Sequence, residues 1–333
     1  MDASSNIVAE IGLLIYPNCQ LAAIYGLTDL FRIAGDWPQQ KNCTERRPCI
    51  RVSHWGSPPD VRQGAANRLV CLWDSYAEQP HDLSYIIAPP SIVMPEDMLQ
   101  MPAEAEWLTD RHAEGSKICS VCAGAFVLAE SGLIDGRRVT THWAFADLLS
   151  RRFPKIDAAA QDMVLDDGDI LTAGGILAWT DLGLTLVDRL MGPSAMLATA
   201  KFLLIDPPGR QQLPYHTFNP RFDHGDEAIV RVQHHVHAHA ADQQSVRDLA
   251  TVAKLGERTF LRKFTKCTGL RPTQYVQQVR VAKAREMLET TQRPVDQISW
   301  QVGYRDPAAF RKVFLRLTGM VPQSYRQRFG VGS

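Results

Sequence analysis

The stretch T-G-L-R-P at residues 268–272 recurs as T-G-M-V-P at residues 318–322. Three aromatic residues around the motif repeat at the same offset: Phe260, Phe264 and Tyr275 correspond to Phe310, Phe314 and Tyr325. Glycine commonly follows the last residue of a helix, and proline commonly occupies the first position of the next one. Each copy is therefore predicted to be a short helix, a turn, a second helix that ends at Thr-Gly, and a Pro-started continuation. This is the order of a helix-turn-helix unit, present twice.

The second helix of each copy has a cationic face opposite its apolar face. At about 100° per residue, Phe260 and Phe264 oppose a basic arc in the first copy, and Phe310 and Phe314 do so in the second. A helix fits the major groove, where Arg and Lys donate to guanine edges or phosphates and Ala or Thr meets a thymine methyl. A single basic helix would favour the interpretation of a solvent-exposed surface, but two copies of it favour the interpretation of a DNA-binding surface. The predicted DNA-contacting residues are Arg258, Thr259, Arg262, Lys263, Lys266, Ala308, Arg311 and Lys312.

Residues 273–291 between the copies have helical spacing throughout. Such a helix would be about 28 Å long, close to the ~34 Å that separates successive major grooves on one DNA face. It is predicted to space the two recognition helices along DNA. The alternative is a long helix that only packs within the domain.

Charge is distributed unevenly along the 333 residues, although 36 Lys and Arg balance 36 Asp and Glu. Residues 226–333 contain 18 basic and 9 acidic side chains, which leaves 18 basic and 27 acidic side chains in residues 1–225. The formal charges of the two regions are therefore +9 and −9. A basic C-terminal region suits contact with the phosphate backbone.

The first 205 residues alternate continuously apolar strand candidates with helical patterns, which predicts an α/β domain with a parallel sheet covered on both faces. Residues 206–225 contain four prolines and are predicted to be a linker to an all-helical domain at residues 226–333. No apolar stretch reaches the ~18 residues of a membrane helix, and the N-terminus lacks the pattern of a signal peptide. With only seven cysteines, we expect a cytoplasmic protein.

The N-terminal region contains a strand–Cys–helix pattern. The strand candidate at residues 116–121 leads into Cys122, then into Ala123-Gly124-Ala125 and a helix. Small neighbours permit the sharp turn of a nucleophile elbow, and the start of a helix favours a thiolate. His142 could act as base or orienting partner. The alternative is a buried structural cysteine and a structural histidine.

Two resemblances follow from these motifs. Residues 226–333 resemble the AraC/XylS family of transcriptional regulators, and the elbow with G-L-I-D-G-R-R-V-T-T-H-W at residues 132–143 resembles the PfpI, or class I glutamine-amidotransferase-like, superfamily. The whole chain is similar to the GlxA-type AraC regulators. The resemblance implies a doubly wound, flavodoxin-like α/β domain of the PfpI type at residues 1–205. It also implies an all-α double helix-turn-helix domain with recognition helices at residues 257–267 and 307–317.

One departure from the superfamily pattern concerns catalysis. Its catalytic members place an acidic residue in the first β–α connection, where this chain has Ala22 and Ala23; the nearest acid is Asp29, about two turns further on. We therefore predict no catalytic residue and a small-metabolite site lined by Cys122, Ala123 and His142. The alternative is a Cys-dependent hydrolase or glyoxalase-like enzyme fused to a DNA-binding domain.

A metal centre and a redox pair are less favoured interpretations of two other motifs. Of His234, His235, His237 and His239, only His235 and His239 share a helix face, and no third ligand is evident. Cys119 and Cys122 would point to opposite faces of a strand. We therefore predict no metal and no cofactor. The expected partners are promoter DNA, an unknown small-molecule effector, a second copy of the chain and RNA polymerase as a candidate, but no membrane.

Overall fold

The computed structural model of the protein describes residues 6–36, 48–58 and 69–331. The chain divides into two units, Met1–Gln212 and Leu213–Ser333. Within the described ranges, no helix combines the length and apolar content that crossing a membrane requires.

A mixed, mainly parallel sheet forms the first unit. Its seven strands among the described residues are β1 Ile7–Ile15, β2 Cys49–Gly56, β3 Val70–Asp74, β4 Leu83–Ala88, β5 Lys117–Val121, β8 Val164–Asp166 and β9 Ile170–Ala173. Two short strands, β6 Arg138–Val139 and β7 Asp157–Ala158, pair with each other in a separate sheet. The seven strands pair in the order β3-β2-β1-β4-β5-β9-β8, with β3 and β8 antiparallel at the two edges. The β8–β9 hairpin turns at Gly168, whose φ is +87°, a conformation that glycine adopts without strain.

Helices pack against this sheet in two groups. The first unit contains α1 Leu21–Asp36, α2 Pro102–Ala113, α3 Gly124–Ser131, α4 Ala146–Arg152, α5 Trp179–Met191 and α6 Pro193–Leu203. α1, α5 and α6 pack together, and α2 packs with α3, as expected for helices that cover the two faces of a sheet. α2 begins at Pro102 because the residue before a proline disfavours helix, whereas proline itself suits the first turn of a helix.

The second unit is all-helical, and its repeat is confirmed. Thr268 Oγ1 donates to Phe264 O at 2.8 Å and accepts from Leu270 N at 3.2 Å. Thr318 makes the same two bonds, with Phe314 O and Met320 N, at the same distances. The glycine after each threonine has a φ of +71° or +69°, a conformation that glycine adopts without strain. The helices are α7 Glu227–Ala238, α8 Val246–Ala253, α9 Glu257–Thr268, α10 Pro272–Thr290, α11 Val295–Gln301, α12 Pro307–Thr318 and α13 Pro322–Phe329.

Two hydrophobic clusters in this unit share α10. Its first half contributes Val276 and Val279 to the cluster around α8 and α9. Its second half contributes Ala284 and Leu288 to the cluster around α11 and α12. The helix predicted between the copies is therefore present and belongs to both cores.

The proline-rich segment at residues 206–225 is divided between the two units. Before the division, Arg210 Nε donates to the buried Asp181 Oδ1 at 3.0 Å within the first unit. After it, Phe218 packs edge-on against Tyr275, with ring centroids 5.1 Å apart, within the second. Each half of the segment thus packs on its own unit.

Candidate effector pocket and DNA-contacting helices

A sharp turn at Cys122 joins β5 to α3. Cys122 has a φ of +54°, which is unfavourable for a residue with a Cβ, and its N–H donates to Ala173 O of β9 at 2.8 Å. Gly124 follows because the chain here passes against the end of β4: a Cβ at this position would lie 2.6 Å from Pro89 O. The elbow geometry predicted from the small residues is therefore present.

The ionisation state of Cys122 differs from the expectation. Its side chain is 2% exposed, and burial raises the pKa of the thiol to about 12. The prediction that the start of the helix favours a thiolate is wrong, because removing the charged form from water outweighs the favourable field. Burial likewise raises the pKa of nearby Tyr16 well above its usual value, with Cys19 and Cys122 adding to the shift. The elbow is thus surrounded by groups that stay neutral.

His142 lies next to the elbow but is oriented by its own turn. The neighbouring Thr141 Oγ1 donates to Cys122 O at 2.7 Å, while His142 Nδ1 accepts from Ala144 N at 3.1 Å. Burial lowers the pKa of His142, which favours a neutral imidazole. Among the described residues, no hydrogen bond joins the Cys122 thiol to an imidazole or a carboxylate.

The first β–α connection offers no acid to Cys122. Ala23 is fully buried, and Asp29 lines a separate cleft of about 630 Å³ with His54 and Trp73. The departure seen in the sequence therefore persists in the fold.

The first recognition helix, α9, presents most of its predicted residues to solvent. Arg258, Thr259, Arg262 and Lys266 are exposed. Lys263 is half-buried and donates to Asp226 Oδ2 at 2.9 Å, an interaction that lowers the pKa of Asp226. Because the same carboxylate caps α7, the Lys263 side chain is held at the start of α7.

The second recognition helix, α12, is more strongly tied to its neighbours. Asp306 caps its start by accepting from Ala308 N at 2.8 Å. Ala308, Arg311 and Lys312 are exposed, but Arg311 Nη2 lies 2.5 Å from Asp296 Oδ1 on α11. Arg316 Nη2 donates to Gln277 Oε1 on α10 at 2.6 Å.

The four histidines of α7 and its C-terminal end contact other groups. His234 stacks on Phe222 with ring centroids 4.9 Å apart, and His237 Nε2 lies 3.1 Å from Tyr275 OH. Within the described ranges, one group has metal-ligand atoms close together: Cys71, Asp74 and His81. Its carboxylate already receives the Arg51 guanidinium at 3.1 and 2.5 Å, so we assign no metal there.

Comparison with known proteins identifies both domains. Residues 249–328 match the family described as Helix-turn-helix domain, and residues 71–189 match the DJ-1/PfpI family. The HTH-type transcriptional regulator CdhR of Pseudomonas aeruginosa is 28% identical over 229 residues, which are 68% of this chain and 65% of CdhR. The HTH-type transcriptional regulator GlxA of Rhizobium meliloti is 27% identical over 217 residues, 65% of this chain and 67% of GlxA.

The chain therefore combines a DJ-1/PfpI match with a helix-turn-helix match, and it is similar along 65–68% of its length to these two HTH-type transcriptional regulators. It spans about two thirds of the length of these relatives, 65% and 67%. The DJ-1/PfpI match contains Cys122 and His142, and the helix-turn-helix match contains both recognition helices. The family and the fold class predicted from the sequence are confirmed.

An enzyme is also similar to part of the chain. The isonitrile hydratase of Pseudomonas putida is 41% identical over 88 residues, which are 26% of this chain and 37% of the enzyme.

Sequence reasoning missed Gln212. This side chain is 1% exposed and bonds to the turn that carries His142. It lies in a proline-rich segment without periodicity, so no sequence signal marks it.

Proposed function

We propose that this protein is a sequence-specific DNA-binding transcriptional regulator. The observation that carries the proposal is the repeated unit, in which the same Thr-Gly cap ends two helices that present exposed cations and small residues. Such faces suit base edges and phosphates in two major-groove segments. The names of CdhR and GlxA support the proposal.

Selection of a duplex from a random DNA pool with the full chain, followed by gel-shift titration at fixed salt, tests this proposal. Arg258→Ala and Arg262→Ala should each weaken binding of the selected duplex by about 1–3 kcal/mol if the side chain reads a base. Arg32→Ala, an exposed arginine on α1, is the matched control and should bind as the wild type does. Wild-type affinity in both recognition-helix variants would contradict the assignment.

We further propose that a small metabolite binds at the elbow near Cys122, Ala123 and His142 and controls DNA binding. The neutral thiol of Cys122 and the neutral imidazole of His142 suit a small polar ligand better than they suit nucleophilic chemistry. An effector must bind two states of the protein with different affinity to shift their populations. A homodimer would raise the effective concentration of the second DNA-binding domain, and RNA polymerase is the candidate partner at a promoter.

Thermal-shift screening of the full chain against amines, amino acids and short carboxylic acids tests the site. A compound that binds the native state raises the unfolding temperature by mass action. Cys122→Ala should remove or change that shift, whereas Cys267→Ala, in the second unit, should retain it. Equal shifts in both variants would place the ligand elsewhere.

A cysteine-dependent enzyme is the second candidate function, and the similarity to isonitrile hydratase together with the strained elbow favours it. Ala23, the raised pKa of Cys122 and the missing thiol–base bond among the described residues argue against it. Turnover of isonitriles, amides or dicarbonyls by the purified chain, lost in Cys122→Ala, would establish this alternative.

A further inference from the structure

Gln212 is the last residue of the first unit, and both polar atoms of its side chain form hydrogen bonds. Its Oε1 accepts from Trp143 N at 3.0 Å, and its Nε2 donates to Thr140 Oγ1 at 3.0 Å and Thr141 O at 2.9 Å. The backbone N–H of Gln212 also donates to Gln161 O at 2.9 Å. A Cβ at position 174 would collide with this amide group, so Gly174 provides the space that it fills.

The turn that Gln212 contacts, residues 140–143, is hydrogen-bonded to the elbow at Cys122. Thr141 Oγ1 donates to Cys122 O at 2.7 Å, and Thr140 N donates to Thr172 Oγ1 of β9 at 2.8 Å. The same turn carries His142. A ligand that displaces His142 or the elbow therefore acts on a segment that Gln212 bonds at three points. A buried amide with this many partners resists movement away from them, because each broken bond leaves a desolvated polar group.

The next residue, Leu213, is anchored just as firmly in the second unit. Its carbonyl oxygen accepts from Arg285 Nη2 of α10 at 3.0 Å, and His216 O accepts from Nη1 of the same side chain. Arg285 is 8% exposed, and its guanidinium lies 5.3 Å from the centre of the Tyr325 ring. α10 is the helix that contributes to both helix-turn-helix cores.

We propose that Gln212 is the coupling residue of this protein, which transmits a displacement of the 140–143 turn to α10 through the single peptide bond between Gln212 and Leu213. A flexible linker of several residues would absorb such a displacement. One planar peptide bond cannot lengthen, although rotation about its flanking dihedrals leaves orientation free. The inference rests on the proposed effector site and adds the path by which that site reaches the DNA-binding helices.

A double-mutant cycle on the full chain, read by amide hydrogen exchange, tests the coupling without effector or DNA. Thr141→Val removes the bond to Cys122 O and keeps the shape of the side chain. We expect it to raise exchange of the amides of residues 212–218 by about five- to tenfold, the usual size of coupling within one network. In Gln212→Ala, Thr141→Val should add no further increase, whereas in Gln211→Ala, the exposed neighbour of the same type, the full increase should remain.

Two results of this cycle would overturn the proposal. One is an equal effect of Thr141→Val with and without Gln212, which is the additive behaviour of a merely structural residue. The other is the absence of any effect in the wild-type and Gln211→Ala backgrounds.

A second measurement uses the duplex selected with the wild-type chain. Coupling between two sites is reciprocal, so this duplex should change amide exchange at residues 140–143 in the wild type and in Gln211→Ala but not in Gln212→Ala. Binding of the duplex without any change at residues 140–143 would refute the coupling. If no duplex is selected, the proposed function fails, and the cycle with Thr141→Val still decides the coupling.

Discussion

The two helix-turn-helix units are alike inside and different outside. Each contains two phenylalanines whose ring planes are inclined to each other by 60° or 53°. A tyrosine packs edge-on against the second phenylalanine, with ring centroids 5.3 Å apart for Phe264 and Tyr275 and 5.4 Å apart for Phe314 and Tyr325. The hydroxyl of Tyr275 meets Gln233 and His237, whereas that of Tyr325 donates to Glu289 at 2.6 Å. The repeat thus preserves the packed interior and varies the polar contacts around it.

The surfaces of the recognition helices differ in the same way. Among the described residues, Arg258, Arg262 and Lys266 on α9 have no side-chain partner, while Arg311 and Arg316 on α12 bond to Asp296 and Gln277. A cationic side chain that must first break a hydrogen bond within the protein gains less binding free energy from a phosphate or a base than a side chain without such a bond. We therefore expect the first helix-turn-helix, which contains α9, to supply the larger share of the DNA affinity.

The largest predicted effect concerns the shared interior. Phe264→Ala and Phe314→Ala should each destabilise the second unit by about 3–5 kcal/mol, because both rings are fully buried in equivalent clusters. Amide exchange of α9 and α12 in increasing urea measures the effect. Leu261→Ala, at a residue that is 39% exposed, is the control and should cost far less. Effects that differ by more than twofold between the two phenylalanines would show that the interiors are not equivalent.

A smaller effect concerns the helix starts. Asp306 caps α12 with its side chain, while Gly256 at the start of α9 has none. Asp306→Ala should lower the stability of α12 by about 1 kcal/mol. Faster amide exchange in the first turn of α12 measures this loss. Asp306→Asn keeps an acceptor at this position and should retain most of the stability. If Asp306→Asn loses as much stability as Asp306→Ala, the side-chain cap is not the cause.

The surface difference predicts a gain of function. Asp296→Asn should tighten binding of a selected duplex by less than about 1 kcal/mol, because it frees Arg311 and removes a negative charge near DNA. Gel-shift titrations at several salt concentrations should show a steeper salt dependence. In an Arg311→Ala background the same substitution should tighten binding less. Equal tightening in both backgrounds would mean that the lost charge, rather than Arg311, is responsible.

The smallest effect is a pH dependence of stability that arises beside the first helix-turn-helix, where His237 lies next to Tyr275. Burial, aided by Lys283 and His234, lowers the pKa of His237 from 6.5. Near and just below pH 6.5, the unfolded chain therefore binds more protons than the folded chain. The contribution of neutral His237 to the free energy of unfolding is complete above about pH 6.5 and is lost as the pH falls. Urea unfolding between pH 5 and pH 8 should show a weaker acid dependence in His237→Gln than in the wild type. An unchanged profile would exclude His237 as its source.

Periodic and capped elements of this chain could be predicted from the sequence, and contacts between distant segments could not. The helices α9 and α12 and the elbow at Cys122 follow from local spacing, from Thr-Gly and from small residues. The bonds of Lys263 to Asp226 and of Arg311 to Asp296 depend on which helices meet in the fold. The burial of Gln212 requires a gap at Gly174, 38 positions away, and nothing in a proline-rich segment indicates it. The DNA-contacting and pocket residues remain predictions.

The position of α10 has a consequence for how the second unit loses its structure. Because one helix completes both hydrophobic clusters, unfolding either helix-turn-helix exposes apolar side chains of α10 and loosens the support of the other. In a linear array the units would unfold one by one, with a stability set by each repeat and its interface. Here the shared helix favours a single cooperative transition, so damage to one DNA-reading unit is expected to weaken both.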